Sequence, residues 1–426
     1  MLTIVFILLF VMVLEVKLIP REKIQENIKK SISTLSSRNE LKRIKIDNEN
    51  TYLHVYADSI LLNMIYCMDS DKPLESIMES NYYAENEIPS LARAIETESN
   101  GNMQYIRYWH GSMMIIRPLL MWLNISQIYY FLAIVLIILL TILFIMLIKK
   151  KAYLLVVALI IGLIMTTSQY VPFCLEYVWT YIIMLLTSIL VINFENKENM
   201  SANISKLMFV TGIITCFLDF LSTETITFTI PILIIFYIRN KEGKIKNIKN
   251  EMKQIVKWTI LWFVGYAAMW AAKWILSSII LNINSLEYVA NNMMKRIVDT
   301  DSKQSIFYMI KESLYRNVIA LYPLDLFRST IINISIVLSV IISLILLKKQ
   351  DKKEIQKAMI VLGIGAIPYI RYITIIQHST NHCFFTFRAQ IATIIAIIIA
   401  TSIIIDKNKF EKNIEISNKG KVKNAK

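Results

Sequence analysis

The longest charge-free stretch of this chain decides its structural class. Residues 129–148 hold no charged side chain and are almost entirely apolar, and an α-helix needs about 20 such residues to cross a bilayer. Comparable runs recur along the chain, and 55% of its 426 residues are hydrophobic. The alternating pattern typical of outer-membrane β-barrels is absent. We therefore predict an all-α fold, a polytopic transmembrane helix bundle.

We predict about ten spans and a large external first loop that contains helices. The first span is a retained anchor, because it has neither a basic n-region nor an A-x-A cleavage site. Four regions result: the anchor (1–19), a loop domain with amphipathic helices (20–127), a nine-span bundle (128–405) with a helical external loop at 277–329, and a basic tail (406–426). The predicted spans are Leu2–Ile19, Ile128–Ile148, Ala152–Ser168, Glu176–Asn193, Leu207–Leu221, Thr225–Ile238, Trp258–Leu276, Thr330–Leu347, Met359–Ile375 and Phe385–Ile405.

Charge predicts the orientation of the spans. Short basic loops alternate with loops nearly free of Lys and Arg, and the positive-inside rule places the basic ones in the cytoplasm. The net charge of +14 then reflects topology, and no nucleic-acid partner is indicated. Segment 17–45 is basic yet falls in the external loop, and loops longer than about 60 residues largely escape the rule. Both termini are therefore predicted to be cytoplasmic, in the plasma membrane of a bacterium.

The remaining composition excludes several classes of site. The predicted cytoplasmic segments are too short to fold as domains, and the nine glycines form neither a P-loop nor a GxGxxG motif, which argues against a cytosolic nucleotide site. The four cysteines lack paired spacing, so they support neither a disulfide framework nor a metal knuckle. The sequence indicates no cofactor. Asp69 and Asp71 either form a simple turn or bind a divalent cation.

All four histidines (His54, His110, His378 and His382) fall on the predicted external side. Each is either an ordinary polar loop residue or a functional residue, and the two alternatives are equally open. Asp58 and Ser59 directly precede the apolar run Ile60-Leu61-Leu62. Asp58, or Ser59, is either the N-cap of a helix or, in the case of Asp58, a carboxylate that takes a proton from an acceptor hydroxyl.

The end of the loop reads Arg107-Tyr108-Trp109-His110-Gly111, followed by an apolar stretch around Arg117. Tyr and Trp are typical of membrane interfaces, and the apolar stretch is short enough to be an interfacial helix. We expect Arg107, His110 and Arg117 to face phosphate-bearing lipid headgroups, because the guanidinium group binds phosphate bidentately.

Asp219 and Glu224 lie in or beside apolar sequence. An ionisable residue at membrane depth is a functional candidate unless it sits in water beyond the span. Lys273 and Arg371 are candidate partners.

The last external turn contains His378, His382 and Arg388. Such a cluster can bind a diphosphate, and the His-x-x-x-His spacing leaves zinc as an alternative.

These features resemble the GT-C superfamily of integral membrane glycosyltransferases, in particular polytopic members from Gram-positive bacteria. The resemblance rests on the first span with its large loop, Tyr56-Ala57-Asp58-Ser59-Ile60-Leu61-Leu62-Asn63, Tyr108-Trp109-His110-Gly111 with Arg117-Pro118-Leu119-Leu120, and Phe217-Leu218-Asp219-Phe220-Leu221. It implies a polyprenyl-linked sugar donor, an envelope glycan or lipid acceptor, and Asp58 as the base. One departure is clear, because Arg21-Glu22-Lys23 stands where members carry an acidic pair.

The resulting hypothesis is inverting transfer of a sugar from a polyprenyl phosphate to an external cell-envelope acceptor. Asp58, with Asp219, supplies the acid–base chemistry, and the substrate is bound by Arg107, Tyr108, Trp109, His110, Arg117, His378, His382 and Arg388. Two other functions stay open: a polymerase or ligase of lipid-linked glycans, and a transporter or flippase of a lipid-linked substrate. A structural membrane protein without chemistry is a third possibility.

Overall fold

The protein is mostly helical over the residues described by the computed structural model, which are 1–40, 55–86, 88–285, 287, 305–321 and 352–405. Five stretches of helix are long and apolar enough to cross a membrane: Ile125–Lys149, Met200–Leu218, Ile248–Leu281, Lys352–Thr374 and Cys383–Ile404. Two shorter apolar helices are Tyr153–Met165 and Val178–Phe194. Length and composition therefore indicate a helical membrane protein.

Eighteen helices and one small sheet make up the described part of the chain. The α-helices are α1 Leu2–Leu18, α2 Gln25–Glu40, α3 Val55–Cys67, α4 Pro73–Glu79, α5 Leu91–Glu96, α6 Met113–Leu119, α7 Ile125–Lys149, α8 Tyr153–Met165, α9 Val178–Phe194, α10 Met200–Leu218, α11 Ile226–Lys241, α12 Ile248–Leu281, α13 Ile306–Ile319, α14 Lys352–Gly365, α15 Ile367–Thr374, α16 Ile376–Asn381, α17 Cys383–Thr386 and α18 Ile391–Ile404. Short 3₁₀ turns occupy Arg21–Lys23, Ser168–Phe173 and Phe387–Gln390. Strands β1 Ala84–Glu85 and β2 Ile88–Pro89 pair antiparallel.

Nine of the predicted spans overlap these helices, and the tenth, Thr330–Leu347, lies outside the described residues. His54 and the basic tail also lie outside them. Several boundaries differ from the sequence prediction. Helix α10 ends at Leu218, so that Asp219 is its C-cap, and the predicted span Phe385–Ile405 is interrupted by the 3₁₀ turn at Phe387–Gln390.

Helices α7, α10 and α12 define two opposite ends of the bundle. At about 1.5 Å per residue, the 25 residues of α7 reach from the loop domain to the basic loops. We call residues 149–152, 195–199 and 239–251 the basic end, and residues 166–177, 219–225 and 366–390 the site end.

An ion-pair network holds the basic end together. The side chain of Glu195 is fully buried and accepts from Lys150 at 3.0 Å and from Lys244 at 2.6 Å. Glu242 bridges the same two lysines. The short basic loops separated in the sequence are thus joined in space, and the buried carboxylate between two cations satisfies the pairing that burial demands.

Helices α10 and α12 pack at close range through two glycines. A Cβ atom added to Gly265 would lie 2.2 Å from the Phe209 carbonyl oxygen, and one added to Gly212 would lie 2.0 Å from that of Trp262. Small residues at such positions let helix backbones approach each other in membrane proteins. These contacts fix α12 beside α10, where both support the loop domain.

The loop domain docks onto the site end through hydrogen bonds to α10 and α12. Trp109 Nε1 donates to the Met269 carbonyl at 2.8 Å, and Gly111 N donates to the Phe217 carbonyl at 2.9 Å. The fully buried Lys273 donates to the carbonyls of Ile77 and Met78, where α4 ends and its last carbonyl groups need donors. Lys273 was predicted as a partner of Asp219 or Glu224, but it bonds to the carbonyls at the end of α4 instead.

Candidate functional site

A cavity of about 150 Å³ lies where the loop domain meets the site end. Five stretches of chain line it: the first turns of α3, residues 105–110, Glu176, Phe220, and residues 378–385. Four of the segments singled out in the sequence therefore converge here, together with Glu176, which was not singled out. The aromatic walls of the cavity are Tyr56, Tyr105, Tyr108, Phe220 and Phe385, and its polar groups include His110, Glu176, His378 and His382.

Asp58 lies behind this cavity, fully buried in the first turn of α3 rather than at its N-cap. Both of its carboxylate oxygens lie 3.0 Å from the backbone N–H of Leu175. Tyr129 of α7 donates its hydroxyl at 2.5 Å. Asp58 thereby ties α3 to α7 and to the turn before α9, and it holds the backbone immediately before Glu176.

Glu176 is the carboxylate that lines the cavity. The sequence prediction places Glu176 at the first position of the span Glu176–Asn193 and gives it no functional role. One signal was available: between Lys151 and Glu195 it is the only Asp, Glu, Lys or Arg. A lone charge in such apolar sequence is a functional candidate. Glu176 could therefore have been predicted from the sequence, although the sequence analysis did not single it out.

The Tyr108–Gly111 segment is held tightly against the bundle. A Cβ atom at Gly111 would lie 2.4 Å from the Phe217 ring, so only glycine permits this approach. Tyr108 packs edge-on against Trp270 and Phe220, with ring centroids 5.4 and 5.8 Å apart. Trp109 is buried and faces α12, so Tyr108 and His110 reach the cavity and Trp109 anchors the segment.

His110 is buried with a positive φ of 52°, a conformation uncommon for a non-glycine residue. Its Nε2 lies 3.2 Å from the carbonyl oxygen of Tyr105. Burial, followed by the positive charge of Lys273, lowers the pKa of His110 to about 3. The imidazole is therefore neutral at physiological pH.

The two predicted phosphate-binding arginines of the loop domain lie in different surroundings. Arg107 is partly buried, and its guanidinium carbon lies 4.7 Å from the centre of the Tyr105 ring. Arg117 is fully buried, and it donates to the carbonyls of Ile19 and Ile65. Burial within the protein places Arg117 and His110 away from lipid headgroups, and Arg117 instead satisfies carbonyl groups at the ends of α1 and α3.

Asp219 and Glu224 are both buried but lie in different arrangements. Asp219 accepts from the backbone N–H and the hydroxyl of Ser222, which closes the turn after α10. Glu224 forms a buried ion pair with Arg371, Nε to Oε1 at 2.9 Å. Arg371 also donates to the Leu221 carbonyl at 2.6 Å, where φ is 64°. Arg371 was a candidate partner of both acids, and it pairs with Glu224. Asp219 instead stabilises the turn that carries Phe220.

The histidines of the last turn lie side by side in the cavity wall. Their ring centroids are 4.5 Å apart, and His382 stacks on Phe385. His378 Nδ1 lies 3.3 Å from a terminal nitrogen of Arg371. Arg388 is buried behind them, with its guanidinium carbon 4.8 Å from the centre of the Tyr177 ring and a bond to the Phe384 carbonyl at 3.0 Å. It holds the backbone next to Phe385.

In the part of the chain that the structure describes, no group of three or more His, Cys, Asp or Glu is arranged to hold a metal ion. At Asp69, the carboxylate accepts from the backbone N–H of Asp71 at 2.8 Å, which is the geometry of a turn.

Fold and composition thus define a helical membrane protein with a small aromatic cavity at one end of its bundle. Comparisons with family models, with curated proteins and with solved structures found no match to this chain.

Proposed function

We propose that this protein is a membrane glycosyltransferase that moves a sugar from a polyprenyl-phosphate donor to a cell-envelope acceptor. The observation that supports it most is the cavity that carries the Glu176 carboxylate at the end of the bundle opposite the basic loops. If the positive-inside rule holds, that end faces outward. A carboxylate, the neutral imidazole of His110 and aromatic walls at an external membrane surface suit sugar transfer from a lipid carrier.

The size of the cavity supports a small reacting group. Its volume of about 150 Å³ is well below the roughly 300–1,000 Å³ of sites for drug-sized ligands. One sugar ring is of this scale, whereas an oligosaccharide would extend out of it. The polyprenyl chain would then remain in the lipid beside the bundle.

The chemistry proposed here assigns the base to Glu176 rather than to Asp58. Glu176 takes a proton from the acceptor hydroxyl, whose oxygen forms a bond to the anomeric carbon as the bond from that carbon to the phosphate oxygen breaks. The electron pair leaves with the phosphate, and Arg107 beside Tyr105 stabilises the charge. Asp58 positions Glu176 through the Leu175 N–H, and the configuration at the sugar is inverted.

A reconstituted assay tests this assignment. Purified protein in proteoliposomes receives polyprenyl phosphates that carry labelled hexoses, with an envelope extract as acceptor. Wild-type protein should move label into the extract, and Glu176→Gln should lower the rate by about 10²–10⁴-fold, the usual contribution of a general base. Glu75→Gln, an exposed acid of the loop domain, is the control and should transfer normally. Normal transfer by Glu176→Gln would exclude Glu176 as the base.

A further inference from the structure

The side of α13 that faces the bundle is polar. Ser313 and Asn317 are fully buried, and the Ser313 hydroxyl donates to the Tyr372 carbonyl at 3.0 Å. Asn317 donates through Nδ2 to the Ser379 carbonyl at 2.9 Å and accepts through Oδ1 from the Thr386 hydroxyl at 2.6 Å. These bonds attach α13 to α15, α16 and α17, and the last two carry residues of the cavity wall.

The opposite side of α13 is aromatic and exposed. Phe307 and Tyr315 lie two residues before the buried Met309 and Asn317, which places each of them about 200° around the helix from its buried neighbour. Phe307 is 79% exposed and Tyr315 is 58% exposed, and Tyr308 is exposed as well. A helix on a water-facing surface buries its apolar side and exposes its polar side. Because α13 does the reverse, we expect its outer side to contact something other than water.

The attachment of α13 lies at the level where two spans leave the membrane. The helix packs against α15, α16 and α17, which join the candidate spans Lys352–Thr374 and Cys383–Ile404 at the site end. Its partner Tyr372 lies in the last turn of the first span, and Thr386 lies in the first turn of the second. Exposed apolar side chains of the first span continue up to Ile373, so lipid contact reaches the level of α13.

The charges of α13 match a layer of phospholipid headgroups. Lys311 is exposed and lies one helical turn from both Phe307 and Tyr315. A lysine at such a place lays its aliphatic stem along the apolar surface while its ammonium group reaches the lipid phosphates. Tyrosine is typical of the membrane interface, whereas the buried centre of a protein–protein interface is depleted in lysine. The outer side of α13 therefore fits a lipid surface better than a second protein.

We infer that α13 is an interfacial helix whose outer side, formed by Phe307, Tyr308, Lys311 and Tyr315, lies among the phospholipid headgroups at the site end. Helices of this kind bury their apolar side about 5–10 Å into the boundary between headgroups and acyl chains. Since the inner side is bonded to the segment that carries His378 and His382, α13 links the lipid surface to that wall of the cavity. Contact with lipid requires no sugar transfer and goes beyond the proposed function.

Spin-label accessibility in the full-length protein tests the lipid contact. Phe307→Cys and Tyr315→Cys each receive a nitroxide label, and the protein is reconstituted into liposomes of phosphatidylglycerol and phosphatidylethanolamine. The four native cysteines are buried, and wild-type protein treated with the label gives the background. The control in lipid is Ile137→Cys, at an exposed position near the middle of α7. The control in water is Ala92→Cys, at an exposed position of α5, which packs on α2 and α3 of the loop domain.

Electron paramagnetic resonance compares how strongly oxygen, which concentrates in lipid, and a nickel chelate, which stays in water, relax each label. At positions 307 and 315 the ratio of oxygen to nickel accessibility should be roughly threefold above that at position 92 and below that at position 137, as expected for interfacial depth. A ratio equal to that at position 92 would place α13 in water and overturn the proposal. Low accessibility to both reagents would overturn it too, because another segment of the chain or a second copy would then cover the helix.

Photolabelling of the unsubstituted protein covers the case in which the labelled variants misfold. The liposomes contain phosphatidylglycerol with a diazirine close to its glycerol backbone, and mass spectrometry locates the attached lipid after irradiation. We expect attachment within Ile306–Ile319 and at the site ends of the spans, and none within Leu91–Glu96. Labelled spans together with an unlabelled Ile306–Ile319 would contradict the interfacial position of α13.

Discussion

At the residue scale, the buried Asp58 joins three parts of the fold, while Glu176 lines the cavity. Asp58 has protein donors on its carboxylate, from Tyr129 and from the Leu175 N–H, which lie 71 and 117 residues away in the chain. No local pattern reveals partners at such separations. Sequence reasoning could therefore mark Asp58 as important, while its burial and its structural contacts required the fold.

The Asp58–Tyr129 bond yields a prediction about stability. Removing the hydroxyl with Tyr129→Phe should lower the free energy of unfolding by about 1.5–3 kcal/mol, the range for hydrogen bonds to charged groups. Tyr130→Phe is the matched control, because Tyr130 is 62% exposed and should change stability by less than about 0.5 kcal/mol. Thermal unfolding in detergent measures both, and equal stability of the two variants would contradict the structural role of Asp58.

His110 gives a prediction about pH. Its pKa falls to about 3 on folding from an ordinary 6.5, so below pH 6.5 the unfolded chain binds a proton that the folded protein does not. Stability should therefore fall as pH drops from about 6.5 towards 3, by up to about 1.4 kcal/mol per pH unit from this residue. His110→Gln should show a shallower decline of unfolding temperature over the same interval. An unchanged slope would show that His110 titrates normally.

At the element scale, apolar runs predicted most helices, but the ends depended on local contacts. Helix α8 ends at Met165 rather than at the predicted Ser168, because Thr167 adopts a left-handed φ of 50° and begins the 3₁₀ turn. Within the predicted external loop at 277–329, α13 was expected to pack through an apolar face that includes Ile306 and Val318, but its buried residues are Met309, Ser313 and Asn317, and Phe307 is 79% exposed. Hydropathy identifies such elements, and turn geometry decides where they stop.

The α10–α12 contact is an element-scale prediction. Gly265→Ala should destabilise the protein by about 1–3 kcal/mol, the usual cost of overpacking, since its Cβ would lie 2.2 Å from the Phe209 carbonyl. Gly363→Ala in α14 is the control: nothing lies within 4 Å of its Cβ, and an alanine inside a helix should gain up to about 1 kcal/mol. Comparable unfolding temperatures for the two variants would show that α10 and α12 are not packed this closely.

At the scale of the whole molecule, the sequence predicted a membrane protein in which basic loops and histidine-bearing segments belong to opposite sides. The structure joins Lys150, Glu195 and Lys244 at one end and brings His110, His378 and His382 together at the other. The basic loops of one end and the loops nearly free of Lys and Arg at the other end were predictable from the sequence. The shape of the cavity was not, because it depends on how a loop domain, a turn before α9 and a turn before α18 meet.

Mass spectrometry of cell-envelope glycans from cells that lack the gene decides whether the protein transfers a sugar with Glu176 as the base. Restoring the wild-type gene or the Glu75→Gln control should restore one sugar to an envelope glycan. Restoring Glu176→Gln at the same protein level should leave that sugar missing. An envelope identical with and without the gene, or full restoration by Glu176→Gln, would contradict a transferase whose base is Glu176.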